Sequence, residues 1–305
     1  MVTFSYGFPL LTPPYDPVLT DGATIGTLAR AAERAGFAAC YVTDHPAPPE
    51  RWRNAGGHDA FDPFVVLAFA AATTTDLRLL TNLAVVPYRN PFLLANTVAS
   101  LDRLSCGRVT LGTGTGYLRR EFDALGVPFD DRNDRFDEFL DLCRDIWSGR
   151  PIDHQSGRLI ADAIAAHPTP VQDPLPIWIG GNSTLTRRRI AAHGQGWIPL
   201  PNARQNAKYL RTPALETPDD LAVLHRDLLE RWAAAGRDGT PVVAFTVPID
   251  APPASPGFSA DRHLDELARW TASGVTQVVH NGVGATPTEV EEHLVAYGEQ
   301  VIAAA

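Results

Sequence analysis

Arg108-Val109-Thr110-Leu111-Gly112-Thr113-Gly114-Thr115-Gly116-Tyr117 is the stretch whose reading decides the fold. A strand with β-branched residues runs into glycine at every second position, and a charged helix start, Arg119–Glu121, follows. Glycine at such a junction lets backbone N–H groups approach a ligand, and the next helix N-terminus favours an anion. The spacing is G-x-G-x-G, not the G-x-G-x-x-G of a dinucleotide turn, and it follows the fourth strand of the chain rather than the first. Read alone, the turn is equally a tight strand-to-helix joint that binds nothing.

The pattern on either side settles the architecture. Upstream, Thr3–Phe8, Phe37–Thr43 and Leu77–Val86 read as strands. Downstream, Ile177–Ile179, Gly196–Leu200, Val242–Val247 and Val275–His280 do the same. Helices fall between them. Ile25, Leu28, Ala29 and Ala32 make the first apolar stripe, closed by Gly36. Asp62-Pro63 and Asn90-Pro91 are N-caps with proline in the first turn. They open helices striped by Phe64, Leu67, Ala68 and Ala71, and by Leu94, Val98 and Leu101. Phe136, Phe139, Leu140, Cys143 and Trp147 keep one face of a longer helix. Gly149–Pro176 breaks the rhythm and reads as an excursion with a short hairpin. A basic helix, Arg187–His193, follows the fifth strand. Thr217-Pro218 opens another helix, and Leu264, Leu267 and Ala268 mark the seventh. Thr286-Pro287-Thr288-Glu289 is a capping box for the last helix. Eight strand-then-helix units imply a parallel sheet, and their number and length match a closed (β/α)8 TIM barrel. An open doubly wound sheet is the alternative. With no break in composition, the expectation is one domain over residues 1–305, with a short insertion after the fourth βα unit.

Composition narrows the function. The 305 residues carry a net charge of −9 and 45% hydrophobic residues. No basic stripe exists for nucleic acid or an anionic membrane, and no apolar run is long enough to span a bilayer. The start of the chain shows no signal peptide, so the expected location is the cytoplasm. Cys40, Cys106 and Cys143 are odd in number and far apart, which suits buried reduced thiols better than disulfides. Lys208 is the only lysine.

In a barrel, function sits where strands end. The residues to examine are Phe8, Asp44-His45, Asn82–Val85, Gly112–Tyr117, Gly180–Ser183, Pro199–Asn202, Thr246–Pro248 and His280-Asn281. Gly180-Gly181-Asn182-Ser183 is a second glycine turn before a helix. Arg187–Arg189 lie nearby, and Asn182 or Ser183 is placed to cap. Two such turns on neighbouring strands suggest a phosphate-bearing cofactor laid across the barrel mouth. His45 titrates near neutrality and suits proton donation to a carbonyl, although a histidine that merely closes a loop fits as well. A metal centre is not expected. None of the nine histidines forms an H-x-H pair, and Asp44, His45, His58 and Asp59 match no ligand signature. There is no G-x-S-x-G elbow and no P-loop. Trp52, Phe61, Trp178 and Trp197 are either pocket lining or core.

Several of these pieces together resemble a known family. They are Gly36-Phe37 through Val42-Thr43-Asp44-His45, Leu79–Pro91 (LLTNLAVVPYRNP), Leu101–Phe122 (LDRLSCGRVTLGTGTGYLRREF), Leu125–Phe129, Ile177–Ser183 (IWIGGNS) and Gly194–Pro199. The chain is similar to the bacterial luciferase-like flavin and deazaflavin oxidoreductases, and within them to the branch that uses coenzyme F-420. The resemblance implies a TIM barrel and hydride transfer between F-420 and an unsaturated small organic substrate. The alternative is an FMN-dependent monooxygenase served by a flavin reductase. A non-catalytic ligand-binding barrel and a metal-dependent hydrolase rank below both.

The resemblance also implies roles. Gly112, Gly114, Thr115 and Gly116 would hold the phosphate or ribityl side of the cofactor, helped by Gly180, Gly181, Asn182 and Ser183. Asn82-Leu83 matches a strand-end bulge behind the ring, where the family often has a cis non-proline peptide. Asp44 and His45 match positions beside the ring, with His45 as proton donor or orienting group. Tyr117 stands where the sugar-phosphate dehydrogenases of the family carry glutamate, which argues against a sugar-phosphate substrate. It remains a candidate hydrogen-bond donor in the pocket. A homodimer is expected by analogy.

Overall fold

Residues 2–9, 11–12, 14–205, 207 and 212–305 are described by the structure, a computed structural model. Strand β1 (Thr3–Gly7) lies between β2 (Ala39–Val42) and the last strand, β11 (Gln277–Asn281), and β2 pairs with β3 (Arg78–Thr81). β5 (Val109–Gly114), β8 (Ile177–Gly180), β9 (Gly196–Ile198) and β10 (Val242–Phe245) complete the order back to β11. β3 also pairs with β5, through Leu79↔Val109 and Leu80↔Thr110. That contact closes eight parallel strands into a barrel, so the open-sheet alternative falls away. β4 (Ala84–Val85) resumes the third strand's pairing with β5 after a cis peptide at Asn82-Leu83.

The helices form where local chemistry directs them. Between the barrel strands run α1 (Gly22–Arg34), α3 (Pro63–Thr73), α4 (Pro91–Leu104) and α6 (Arg132–Trp147). Asp62 accepts from Phe64 N and Val65 N, and Asn90 from Phe92 N and Leu93 N, at starts that proline has already bent into place. Two short helices, α2 (Glu50–Arg53) and α5 (Arg119–Ala124), lie in the loops after β2 and β5. α7 (Thr184–His193), α8 (Pro218–Ala234), α9 (Ala260–Ala272) and α10 (Pro287–Gln300) follow the later strands. The reciprocal capping box is made at Thr217 and Asp220. At α10 it is one-sided: Thr286 accepts from Glu289 N, while the Glu289 carboxylate accepts from Ala285 N.

The main core lies between barrel and helices and includes Leu28, Leu67, Val98, Phe139, Trp147, Leu228 and Tyr297. Each large side chain buried there contributes about 1.5–3 kcal/mol. Inside the barrel, Tyr41, Leu80, Trp178, Ile198, Ala244 and Val279 pack together, so the interior is filled. The excursion is a hairpin of β6 (Ile152–Gln155) and β7 (Ile160–Ile164). Glu138 of α6 holds it, through His154 Nε2 at 3.0 Å and Arg158 Nε at 3.1 Å. Of the cysteines, Cys40 and Cys143 are buried, as expected, but Cys106 is exposed in a left-handed turn with φ 55°. No helix among the described residues is long and apolar enough to cross a membrane.

Candidate active site

The two glycine turns meet across one leucine. A Cβ on Gly180 would lie 2.3 Å from Leu83 Cδ1, and one on Gly114 would lie 2.9 Å from the same atom. The bulge after β3 thus pushes Leu83 into a slot that only glycine leaves open. Gly112 is packed more tightly still. Its Cβ would sit 1.9 Å from the Thr81 carbonyl oxygen, and Thr81 Oγ1 donates to Gly112 O at 2.7 Å. Gly116 (φ +72°) lies against Val85 and Phe122, and Gly181 has φ +111°. At Gly112, Gly114 and Gly180 the missing side chain therefore makes room for protein. Thr115, half-buried, carries the chain out of β5 towards Tyr117.

Asp44 ends β2 with its carboxylate buried. It accepts from Val85 N at 2.8 Å and pairs with Arg89, whose guanidinium also reaches Asp62 at 3.2 Å. Asp44 therefore clamps the segment after the bulge, and its own oxygens are engaged inside the protein.

His45, the next residue, has a partner that sequence reasoning missed. Its Nδ1 lies 3.2 Å from Oε2 of Glu121, a glutamate with no solvent exposure. Glu121 also accepts from Ala47 N at 3.0 Å and from the Tyr88 hydroxyl at 2.7 Å. Burial alone pushes such a carboxyl up, but these bonds from His45, Ala47 and Tyr88 outweigh it and hold Glu121 below the usual glutamate range. Tyr88 is raised by burial and by the carboxylate it serves. Around the His45 ring stand Trp52 at 4.6 Å, His58 at 5.5 Å and Tyr117 at 5.9 Å between ring centroids. Burial lowers the His58 pKa. No described residue takes His45 Nε2. The signal for Glu121 in the sequence was its place in the first turn of a helix after the glycine strand. Only tertiary burial distinguishes it from the charged residues beside it.

The second turn is largely committed to structure. Asn182, 2% exposed, donates to Leu200 O at 2.7 Å and accepts from Leu200 N at 2.8 Å. Ser183, not Asn182, caps α7, through Thr186 N. Arg187 and Arg189 are buried, paired with Asp227 and Asp137 respectively, so neither supplies free charge to the mouth. His280 also departs from expectation. It points outside the barrel, where its ring stacks on Tyr297 at 4.1 Å, and burial pushes its pKa down to about 3. Trp178 fills the barrel interior, Trp197 is fully buried, Phe61 is exposed, and only Trp52 joins the His45 cluster. Asp59 pairs with Arg53. No group of three or more His, Cys, Asp or Glu among the described residues is arranged to hold a metal.

Comparison with known proteins identifies the family to which this closed parallel barrel belongs. The chain belongs to the luciferase-like monooxygenase family, whose model matches residues 12–301. An uncharacterized protein of Mycobacterium tuberculosis is 32% identical over 295 residues, covering 92% of this chain and 94% of the relative. The F420-dependent hydroxymycolic acid dehydrogenase of the same organism is 33% identical over 185 residues, covering 60% of this chain and 50% of that protein. Three solved structures share the fold. A monooxygenase from Streptomyces bottropensis has a TM-score of 0.78 at 20% identity, covering 99% of both chains. The coenzyme F420-dependent tetrahydromethanopterin reductase of Methanopyrus kandleri has 0.73 at 20%, again covering 99% of both. The oxygenating constituent of 3,6-diketocamphane monooxygenase from Pseudomonas putida, in complex with FMN, has 0.77 at 16%, covering 98% of both. The chain is thus a luciferase-like oxidoreductase.

Proposed function

We propose that this oxidoreductase transfers a hydride between coenzyme F-420 and an unsaturated small organic substrate, reducing C=C, C=N or C=O or running the reverse. The observation that carries the reading is His45 held by buried Glu121 at the strand-end side of the barrel, on which Leu83 also packs between the two glycine turns. The residues fit a flat ring. Leu83 packs on the apolar barrel interior, and His45 supplies a nitrogen without a described protein partner at the rim. The turns at Gly114–Gly116 and Gly181–Ser183, with the N-terminus of α7, would take the phosphate side. When bound, a 5-deazaflavin supplies a two-electron centre that reacts poorly with oxygen.

The chain's own residues do the rest. A carboxylate at Nδ1 fixes the tautomer of His45 and leaves Nε2 to hold or deliver one proton. Trp52, His58 and Tyr117 stand around the same ring. Asn82 lies in the bulge itself, and Asp44 positions the segment after it through Val85 N and Arg89. Tyr117, more than half exposed, contacts substrate rather than the buried network, and a sugar-phosphate substrate remains disfavoured. The F420-dependent name of one relative supports the cofactor. The FMN-bound neighbour supports the second reading, a monooxygenase using reduced FMN and oxygen with a flavin reductase partner. Pairing of two copies belongs to the same proposal. Val65, Ala68, Phe69 and Ala72 form an exposed, uncharged stripe on α3 that a second copy can match with its own.

Fluorescence titration of cofactor-free protein with F-420 and, separately, FMN tests the choice. Tight F-420 binding with weak FMN binding is expected. The reverse result sinks hydride transfer and leaves the monooxygenase.

A further inference from the structure

A cavity of about 380 Å³ lies behind the site, between the start of α4, the outer face of α6 and the tip of the β6–β7 hairpin. Its wall carries three guanidiniums, Arg89, Arg135 and Arg158, against one carboxylate, Glu138, with Phe139 and Leu159 among its apolar lining. Most of this charge is already answered. Arg89 is paired with Asp44 and Asp62, and Glu138 with Arg158 and His154. Arg135 is not. Its Nε is buried without a hydrogen-bond partner, and no described residue forms an ion pair with it. Burying part of a guanidinium without a counter-charge is costly, and a cavity beside it that is large enough for a small molecule is the place for one. The chain as a whole is acidic, at −9, so the positive excess here is local.

We propose that this cavity binds a small organic anion, a phosphate ester or carboxylate with a hydrocarbon body. Arg135 is its principal ligand, Arg158 its second, and Phe139 and Leu159 cover its apolar part. Guanidinium recognises such oxyanions through paired N–H donors. The site is separate from the barrel mouth but shares its wall. Tyr88 borders the cavity and donates to Glu121, and Arg89 borders it and holds Asp44. The inference stands on the cavity and its charges, independently of which cofactor the mouth takes.

The test is calorimetric titration of the purified protein with phenyl phosphate, with benzyl alcohol as the neutral control. Saturable one-to-one binding of phenyl phosphate alone is expected. Arg135→Gln should weaken it at least tenfold, and Arg135→Lys, which keeps the charge but loses the paired donors, should recover only part of that loss. Leu159→Trp, which fills the cavity without touching a charge, should abolish binding even if Arg135→Gln does not fold. Absence of binding, or equal binding by Arg135→Gln or Leu159→Trp, overturns the proposal. F-420 titration of Arg135→Gln separates two sources of the anion. Unchanged F-420 affinity supports a free ligand. An equal loss assigns the cavity to the cofactor's own anionic end and overturns the second site.

Discussion

His45 Nδ1 lies 3.2 Å from Oε2 of Glu121, a carboxylate with no solvent exposure that stands 76 positions further along the chain, in the helix after β5. His45→Ala removes the proposed proton carrier and is expected to lower kcat by about 10²–10³ with little change in cofactor affinity. Glu121→Gln keeps the shape but loses the charge, and should lower kcat roughly tenfold while KM holds. Equal falls in kcat and in fold stability would mean that Glu121 is only structural. Glu121 sits below its ordinary range, so its contribution to stability is fully present above about pH 4.3. It is lost only as pH falls through the depressed value.

Gly180 and Leu83 make a second testable pair. Gly180→Ala drives a methyl to 2.3 Å from Leu83 Cδ1, an overpacking expected to cost about 1–3 kcal/mol. Leu83→Ala in the same protein should recover most of that loss, which urea denaturation of the single and double variants measures. Strict additivity of the two changes would exclude the contact as the cause.

Asp227 sets an acid limit on the second glycine turn. The hydrogen bond from Arg231, with Arg187 beside it, overcomes burial and holds this carboxyl at about 2. Its stabilising effect is therefore complete above the ordinary aspartate range near 4. It disappears as pH falls from there through about 2. Arg187→Gln, which also frees the Asn182 carbonyl, should cost about 2 kcal/mol at pH 7. The gap between wild type and variant should narrow below pH 4; a gap that stays constant would remove the ion pair from the account.

Thiol chemistry should divide the cysteines. Burial pushes both Cys40 and Cys143 up to about 12, whereas Cys106 is exposed. One thiol is expected to react with a chromogenic disulfide in the native protein, and all three after denaturation. Replacing Cys106 by serine should abolish the native reaction, and a second fast thiol would contradict the packing.

Much of the barrel was legible because its signals are local. The proline-led caps at Asp62 and Asn90, the stripe from Phe136 to Trp147 and the hairpin between Gly149 and Pro176 each depend on residues a few positions apart. The site was less legible. The glycines at 114 and 180 read as ligand-approach positions, yet each makes room for Leu83, which only the folded chain places between them. Asn182, Arg187 and Arg189 read as polar groups near a phosphate, yet each is turned to a protein partner. His280 has the right position on its strand, but strand residues alternate between faces and this one faces the helices.

The sequence by itself determined eight strand–helix units, the parallel sheet they imply and the strand ends where chemistry collects, because hydrophobic periodicity and capping act over a few residues. Closure of that sheet into a barrel rested on the pairing of β3 with β5. Only the tertiary structure decided that Glu121 is buried against His45, that Asp44 clamps Val85 and Arg89, and that Arg135 faces a cavity without a counter-charge. Those facts depend on burial and on distances between residues far apart in the chain, and no local pattern encodes either.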